Sequence, residues 1–332
     1  MPRTRPGRSA ERDRDSAGDP RHARFKPAQE TVTVHGRSVV VRDWGRKSDY
    51  PVFVLHGTPG SHAGVAPRPS VLYRQGIRLI TYDRPGYGYS HRQIGRTVAS
   101  AAEDVRAIAR HLGLRRFAVA GRSGGGPHAL ACAALLPDLV SRVTALVSLA
   151  PRVGGHGMGD RWFHGMSESN TKEYDRAIKG IGTLTPELRR RAAAIKKNPD
   201  ALIVQILEEV QAADREVMSD AGIRQMLRDN YTEALRQDGD GWIDDAMAFV
   251  GDWGFRLDEI SVPVLLWHGQ HDVFSPIQHS EWLAHRTPGA VLRVGPGQAH
   301  FDALHELLNL FSWLSQPDPP RSPDYQACNS RM

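Results

Sequence analysis

Phe117-Ala-Val-Ala120 runs straight into Gly121-Arg122-Ser123-Gly124-Gly125, and an Ala/Leu-rich stretch from Pro127 to Leu136 reads as a helix. This G-x-S-x-G pentapeptide between a strand and a helix constrains the chain more than any other feature. A serine on so tight a turn has a strained backbone. Its neighbours must be small because the chain folds back closely, and Gly121 and Gly125 supply that space. The helix that starts just behind brings the positive end of its dipole near charge developing at the serine. The alternatives for such a turn are an idle connection or a phosphate cradle. A Walker A loop needs Gly-Lys-Ser/Thr, which is absent, and the spacing does not match G-x-G-x-x-G. The pentapeptide therefore marks Ser123 as a nucleophile.

Around this turn, short apolar runs read as buried strands: Val52–Leu55, Arg78–Tyr82, Phe117–Ala120, Val143–Leu149, Val262–Trp267 and Ala290–Val294. Residues 31–43 read as a hairpin turning at His35-Gly36. Val98–Leu112 has helical spacing, and alternating strands and helices imply a mainly parallel sheet covered on both faces. From 152 to 256 no strand pattern appears. Leu202, Ile203, Ile206, Leu207 and Val210 form one apolar helical face, and Thr185-Pro186-Glu187 reads as a helix start. This stretch is expected to be a helical insertion between two strands, a cap on a core formed by 31–151 and 257–315. Residues 1–30 and 316–332 are expected to be disordered tails.

The formal net charge of +6 invites a nucleic-acid reading, so its location matters. Residues 1–30 hold eight Lys or Arg against five Asp or Glu, which is +3, half of the excess. No basic stripe with interleaved aromatics appears elsewhere, so no nucleic-acid partner is expected. The two cysteines, Cys132 in an apolar helix and Cys328 in a polar stretch, are unsuited to a bridge. The N-terminus has no apolar signal region, and no run is long enough to span a membrane. A cytoplasmic location is expected. Composition leaves the oligomeric state open.

Four further motifs stand in order around the serine. They are His56-Gly57-Thr58-Pro59-Gly60, Tyr82-Asp83-Arg84-Pro85-Gly86-Tyr87-Gly88-Tyr89-Ser90, Trp267-His268-Gly269-Gln270-His271-Asp272 and Gly297-Gln298-Ala299-His300. With them the chain resembles the α/β-hydrolase superfamily, and within it an epoxide-hydrolase-like and esterase-like bacterial branch, over about residues 31–315. The resemblance implies the α/β-hydrolase fold. Epoxide hydrolases and haloalkane dehalogenases of that branch carry Asp at the nucleophile position, where this chain has Ser123. A serine suits acyl transfer through an acyl-enzyme that water cleaves.

In this fold the order is serine, acid, histidine. His300 follows the last strand and precedes the final helix, which favours it over His305 inside that helix. Asp272, just beyond the strand ending near Trp267, is expected to orient His300. Asp252 and Asp258 precede that strand and should lie away from its C-terminal end, where sites in open α/β sheets form. The oxyanion hole is expected from the N–H groups of Thr58 and Gly124, since Pro59 cannot donate. His56 reads as loop-shaping and His128 as packing.

Trp162, Phe163, Met166 and Tyr174, near the start of the insertion, are expected to line an apolar pocket, or else to pack the cap onto the core. The expected substrate is a small, largely uncharged ester or lactone. A carboxylate held by Arg152 or Arg161 ranks second. No metal or cofactor is called for. Peptidase, C–C bond hydrolase or perhydrolase chemistry would use the same triad, and a non-enzymatic ligand receptor would share the fold.

Overall fold

A computed structural model describes residues 27–64 and 69–316. The two expected tails fall almost wholly outside this range. The first strand, β1 (Ala28–Val34), takes up the last residues assigned to the N-terminal one.

β1 and β2 (Arg37–Trp44) form the expected hairpin, Thr31 opposite Val40, with positive φ at both His35 and Gly36. Two successive positive-φ residues give the tight turn whose twist matches paired strands. The other strands are β3 (Tyr50–Leu55), β4 (Ile77–Tyr82), β5 (Phe117–Arg122), β6 (Val140–Leu146), β7 (Val264–Gly269) and β8 (Val291–Gly295). They make one eight-stranded sheet in the order β1-β2-β4-β3-β5-β6-β7-β8. β2 joins β4 antiparallel, and all pairings from β4 to β8 are parallel.

Because strand side chains alternate between faces, the inner strands β3 to β7 feed two cores. Phe53, Leu55, Val119 and Leu266 enter one, and Val52, Val54, Ala120 and Leu265 the other. The first core is covered by α2 (Ser100–His111) and α3 (Gly125–Leu135). The second is covered by α1 (Pro69–Gln75) and α11 (Ala303–Leu314).

Six helices separate β6 from β7: α4 (Glu168–Lys179), α5 (Ile181–Lys197), α6 (Asp200–Glu209), α7 (Ala212–Val217), α8 (Ala221–Ala234) and α9 (Asp240–Val250). Their apolar faces continue the first core through Leu184, Leu188, Leu227 and Trp242. α5 starts earlier than Thr185-Pro186 suggests, and Pro186 lies inside it. Pro186 is the sixth residue of this helix, so the helix forgoes the bond that an N–H there would give to the Gly182 carbonyl. α10 (Gln278–Arg286) packs beside β7 and β8.

Candidate active site

β5 delivers Ser123 at its C-terminal end, and α3 begins two residues later. Ser123 has φ +54°, a left-handed backbone that side-chain-bearing residues rarely adopt. Its N–H donates to Leu146 O at 2.8 Å and its C=O accepts from Gly126 N at 2.8 Å, which pin the turn. A Cβ at Gly121 would strike the carbonyl oxygen of Gly125, and one at Gly125 would strike that of Leu55. The glycines of the pentapeptide are thus required by backbone contact.

β7 ends at Gly269, and the turn beyond it carries Asp272. His300 Nδ1 lies 2.8 Å from Asp272 Oδ2. Asp272 Oδ1 accepts the N–H of Phe274 at 2.8 Å and of Ser275 at 3.2 Å. The buried His268 lies 3.3 Å from Oδ2. Burial pushes this carboxyl up, but the charge of His300 and the bonds from His268 and His300 outweigh it, holding it below the usual carboxylate range. Ionised Asp272 keeps the proton of His300 on Nδ1, so Nε2 is the free base nitrogen. Ser123 and His300 line the same pocket. Asp252 instead accepts from Gly254 N, and Asp258 pairs with Arg256. His305 is exposed on α11.

Thr58 and Gly124 meet beside Ser123, since a Cβ on Gly124 would collide with the Thr58 side chain. Neither N–H has an acceptor among the described residues. The Thr58 hydroxyl donates to Asp245 Oδ2 at 2.5 Å. Asp245, on α9, is wholly buried and also binds Arg84 at 2.6 Å, Arg96 at 2.6 Å and Tyr87 at 2.8 Å. Burial raises its pKa, but the two arginines hold it well below the ordinary value. Arg84 also donates to the carbonyls of His56 and Gly57. His56 accepts Arg84 N–H on Nε2 at 3.1 Å and faces Gly57 O with Nδ1 at 2.8 Å. Burial, then the Arg84 charge, keep it neutral, so it shapes the loop. His128 touches Val98 O and Asp245, and burial pulls its pKa down to about 4.

The pocket is closed on the sheet side by the Ser123 turn and the Thr58 loop, and on the other by α4, α5, α6, α8 and α9. About 90 Å³ is open to the centre of a water-sized sphere. Its wall differs from the expected apolar one. Trp162, Phe163 and Met166 are absent from it. Trp162 is fully buried, donates Nε1–H to Ala150 O at 2.7 Å and packs against Phe163 and Tyr174. Burial of a large aromatic serves a core as readily as a pocket, and here the core takes it. Arg152 binds Val250 O, and Arg161 lies over the Trp282 ring, both off the pocket. The wall holds Arg122, Glu173, Arg191 and Glu209 alongside apolar residues from other positions, including Tyr174, Leu202, Ile206, Trp242 and Phe274.

Two residues that sequence patterns did not single out reach the histidine loop. Asp214 of α7, fully buried, accepts Phe301 N–H at 2.6 Å, and burial pushes its pKa up to about 6. The guanidinium of Arg122 lies 5.7 Å from the Phe301 ring centre. Arg122 stands inside the pentapeptide, so its position was readable although its setting was not. Asp214 belongs to no motif. His62, Asp83 and Glu233 bring ligand-type atoms within 4.8 Å of one another, but off the pocket wall. There His62 Nδ1 lies 3.0 Å from both Asp83 oxygens.

A family model described as alpha/beta hydrolase fold matches residues 50–201. An uncharacterized hydrolase, YcgS of Bacillus subtilis, is 24% identical over 277 residues, covering 81% of this chain and 90% of its own. A non-heme haloperoxidase of Rhodococcus erythropolis is 26% identical over 289 residues, 80% of this chain and 90% of its own. Among solved structures, the enol-lactonase of Burkholderia xenovorans LB400 superposes with a TM-score of 0.61 at 20% identity, over 86% of this chain and 97% of its own. The sheet order, the strained serine turn and these matches agree: the chain has the α/β-hydrolase fold.

Proposed function

We propose that the protein is a serine hydrolase that cleaves a small carboxylic ester or lactone through an acyl-enzyme. The observation that carries this reading is the pairing of His300 Nδ1 with Asp272 on the pocket wall that also holds Ser123. Ser123 Oγ attacks the substrate carbonyl carbon, and its proton passes to His300 Nε2. Asp272 stabilises the imidazolium. The N–H groups of Thr58 and Gly124 hold the oxyanion, helped by the N-terminal end of α3. His300 returns the proton to the leaving alkoxide, and water then repeats the sequence on the acyl-enzyme. The helical insertion acts as a cap that keeps bulk water from the reacting carbonyl.

The reading places the enzyme in the cytoplasm, where the buried Cys132, unpaired among the described residues, stays reduced. No helix among the described residues is long and apolar enough to cross a membrane. A second reading, perhydrolysis, takes its support from a relative of Acinetobacter calcoaceticus named as a bifunctional esterase/perhydrolase. Hydrogen peroxide would then replace water and release a peracid from the same acyl-enzyme.

A panel of chromogenic esters and lactones, with and without peroxide, tests both. Ser123→Ala should fold normally and lose turnover by about 10³-fold or more. Equal turnover by wild type and variant would defeat both readings.

A further inference from the structure

Arg122 immediately precedes the proposed nucleophile, and its side chain lines the pocket. It sits close to both walls of the site. A Cβ on Gly57 would lie 3.8 Å from its Nη2, and the Phe301 ring lies on its other side. Its Nη1 is shut off from solvent and has no hydrogen-bond partner among the described residues.

Several other buried or half-buried arginines are paired with acids. Arg84 and Arg96 share Asp245, Arg78 binds Asp43, and Arg191, on the same pocket wall, binds Glu173 at 2.8 Å. The acids whose charge reaches Arg122 are Asp214 and Asp272. Asp272 is committed to His300, and Asp214 to Phe301 N–H. A guanidinium stays charged even when buried, and a buried charge without a counter-ion is costly. Burial pulls its pKa down, the signature of that cost.

We propose that Arg122 is a specificity residue and that the substrate carries a carboxylate, which the guanidinium fork binds while Ser123 attacks the ester. The proposal rests on the serine-hydrolase reading above. A carboxylate suits the site better than a phosphate monoester, because Glu209 on the same wall repels a dianion more than a monoanion. The confined volume favours a short chain between carboxylate and ester.

The test compares kcat/KM for monomethyl succinate, glutarate and adipate with their dimethyl counterparts, followed by proton release. Wild type, Arg122→Gln and Arg122→Lys are each scored by the ratio of acid to neutral ester. General losses of fold or turnover cancel in that ratio. At the best chain length, wild type should favour the mono-acid by about tenfold or more. The ratio should fall to about one in Arg122→Gln and return in part in Arg122→Lys, which keeps the charge without the fork. Labelling of Ser123 by a fluorophosphonate is run alongside. Labelling together with a wild-type ratio of one or less overturns the carboxylate proposal and leaves the serine hydrolase standing. A preference that persists in Arg122→Gln also overturns it, since the acid is then read elsewhere. Failure of both labelling and turnover removes both proposals.

Discussion

Asp245 and Asp272 are both buried carboxylates held below their ordinary pKa, yet they are built differently. Asp245 is saturated by Thr58, Arg84, Arg96, Tyr87 and His128, all themselves fixed between cap helix and core. Of that cluster Thr58 alone reaches the pocket wall, and its hydroxyl is spent on Asp245. Asp272 takes its bonds from its own turn and from His268, and spends one oxygen on His300. The imidazole is left with a nitrogen on the pocket side. A closed set of partners holds shape, and an open one leaves a group able to exchange protons. Arg122 extends the contrast, as a half-buried charge with no ion pair among the described residues.

The largest expected effect falls on the open cluster. Asp272→Asn should cost activity on the order of 10⁴-fold, because an amide no longer favours the proton on His300 Nδ1. Asp252→Asn should leave kcat/KM unchanged, and reversed results would assign the acid wrongly. Next comes the closed cluster. Asp245→Asn strips two buried arginines of their counter-charge and should cost about 3–5 kcal/mol of stability. A melting temperature equal to that of wild type would erase the distinction drawn here.

A smaller effect separates the cap from both. The Asp214 carboxyl, pushed up by burial to about 6, has an ordinary value of 3.8. Between roughly pH 4 and 6 the folded protein keeps a proton that the unfolded chain has released, so this group lowers stability as pH rises through that window. Asp214→Asn keeps the oxygen that accepts Phe301 N–H and removes the charge. Its stability relative to wild type should rise by on the order of 2 kcal/mol between pH 4 and pH 7. Parallel denaturation curves at both pH values check this, and a constant difference would refute it.

Much of the frame is legible in the sequence because it is local. The strand–turn–helix at Ser123 needs only adjacent residues, and the strands fall within a few positions of their apolar runs. The hairpin at His35-Gly36 is readable from its turn chemistry. The pocket wall is not local. Trp162 looks like a pocket aromatic until a carbonyl at Ala150 and the Tyr174 ring claim it for the core. The Arg84–Asp245 pair joins residues 161 positions apart, which no spacing rule anticipates. Asp214 meets the histidine loop only because α7 folds back over it.

The central claim, that Ser123 is an activated nucleophile, is tested most directly by mass spectrometry after treatment with a fluorophosphonate. One adduct should form in wild type, on the peptide carrying Ser123, and none in Ser123→Ala. Equal modification of both proteins, or no adduct on that peptide in wild type, would contradict it.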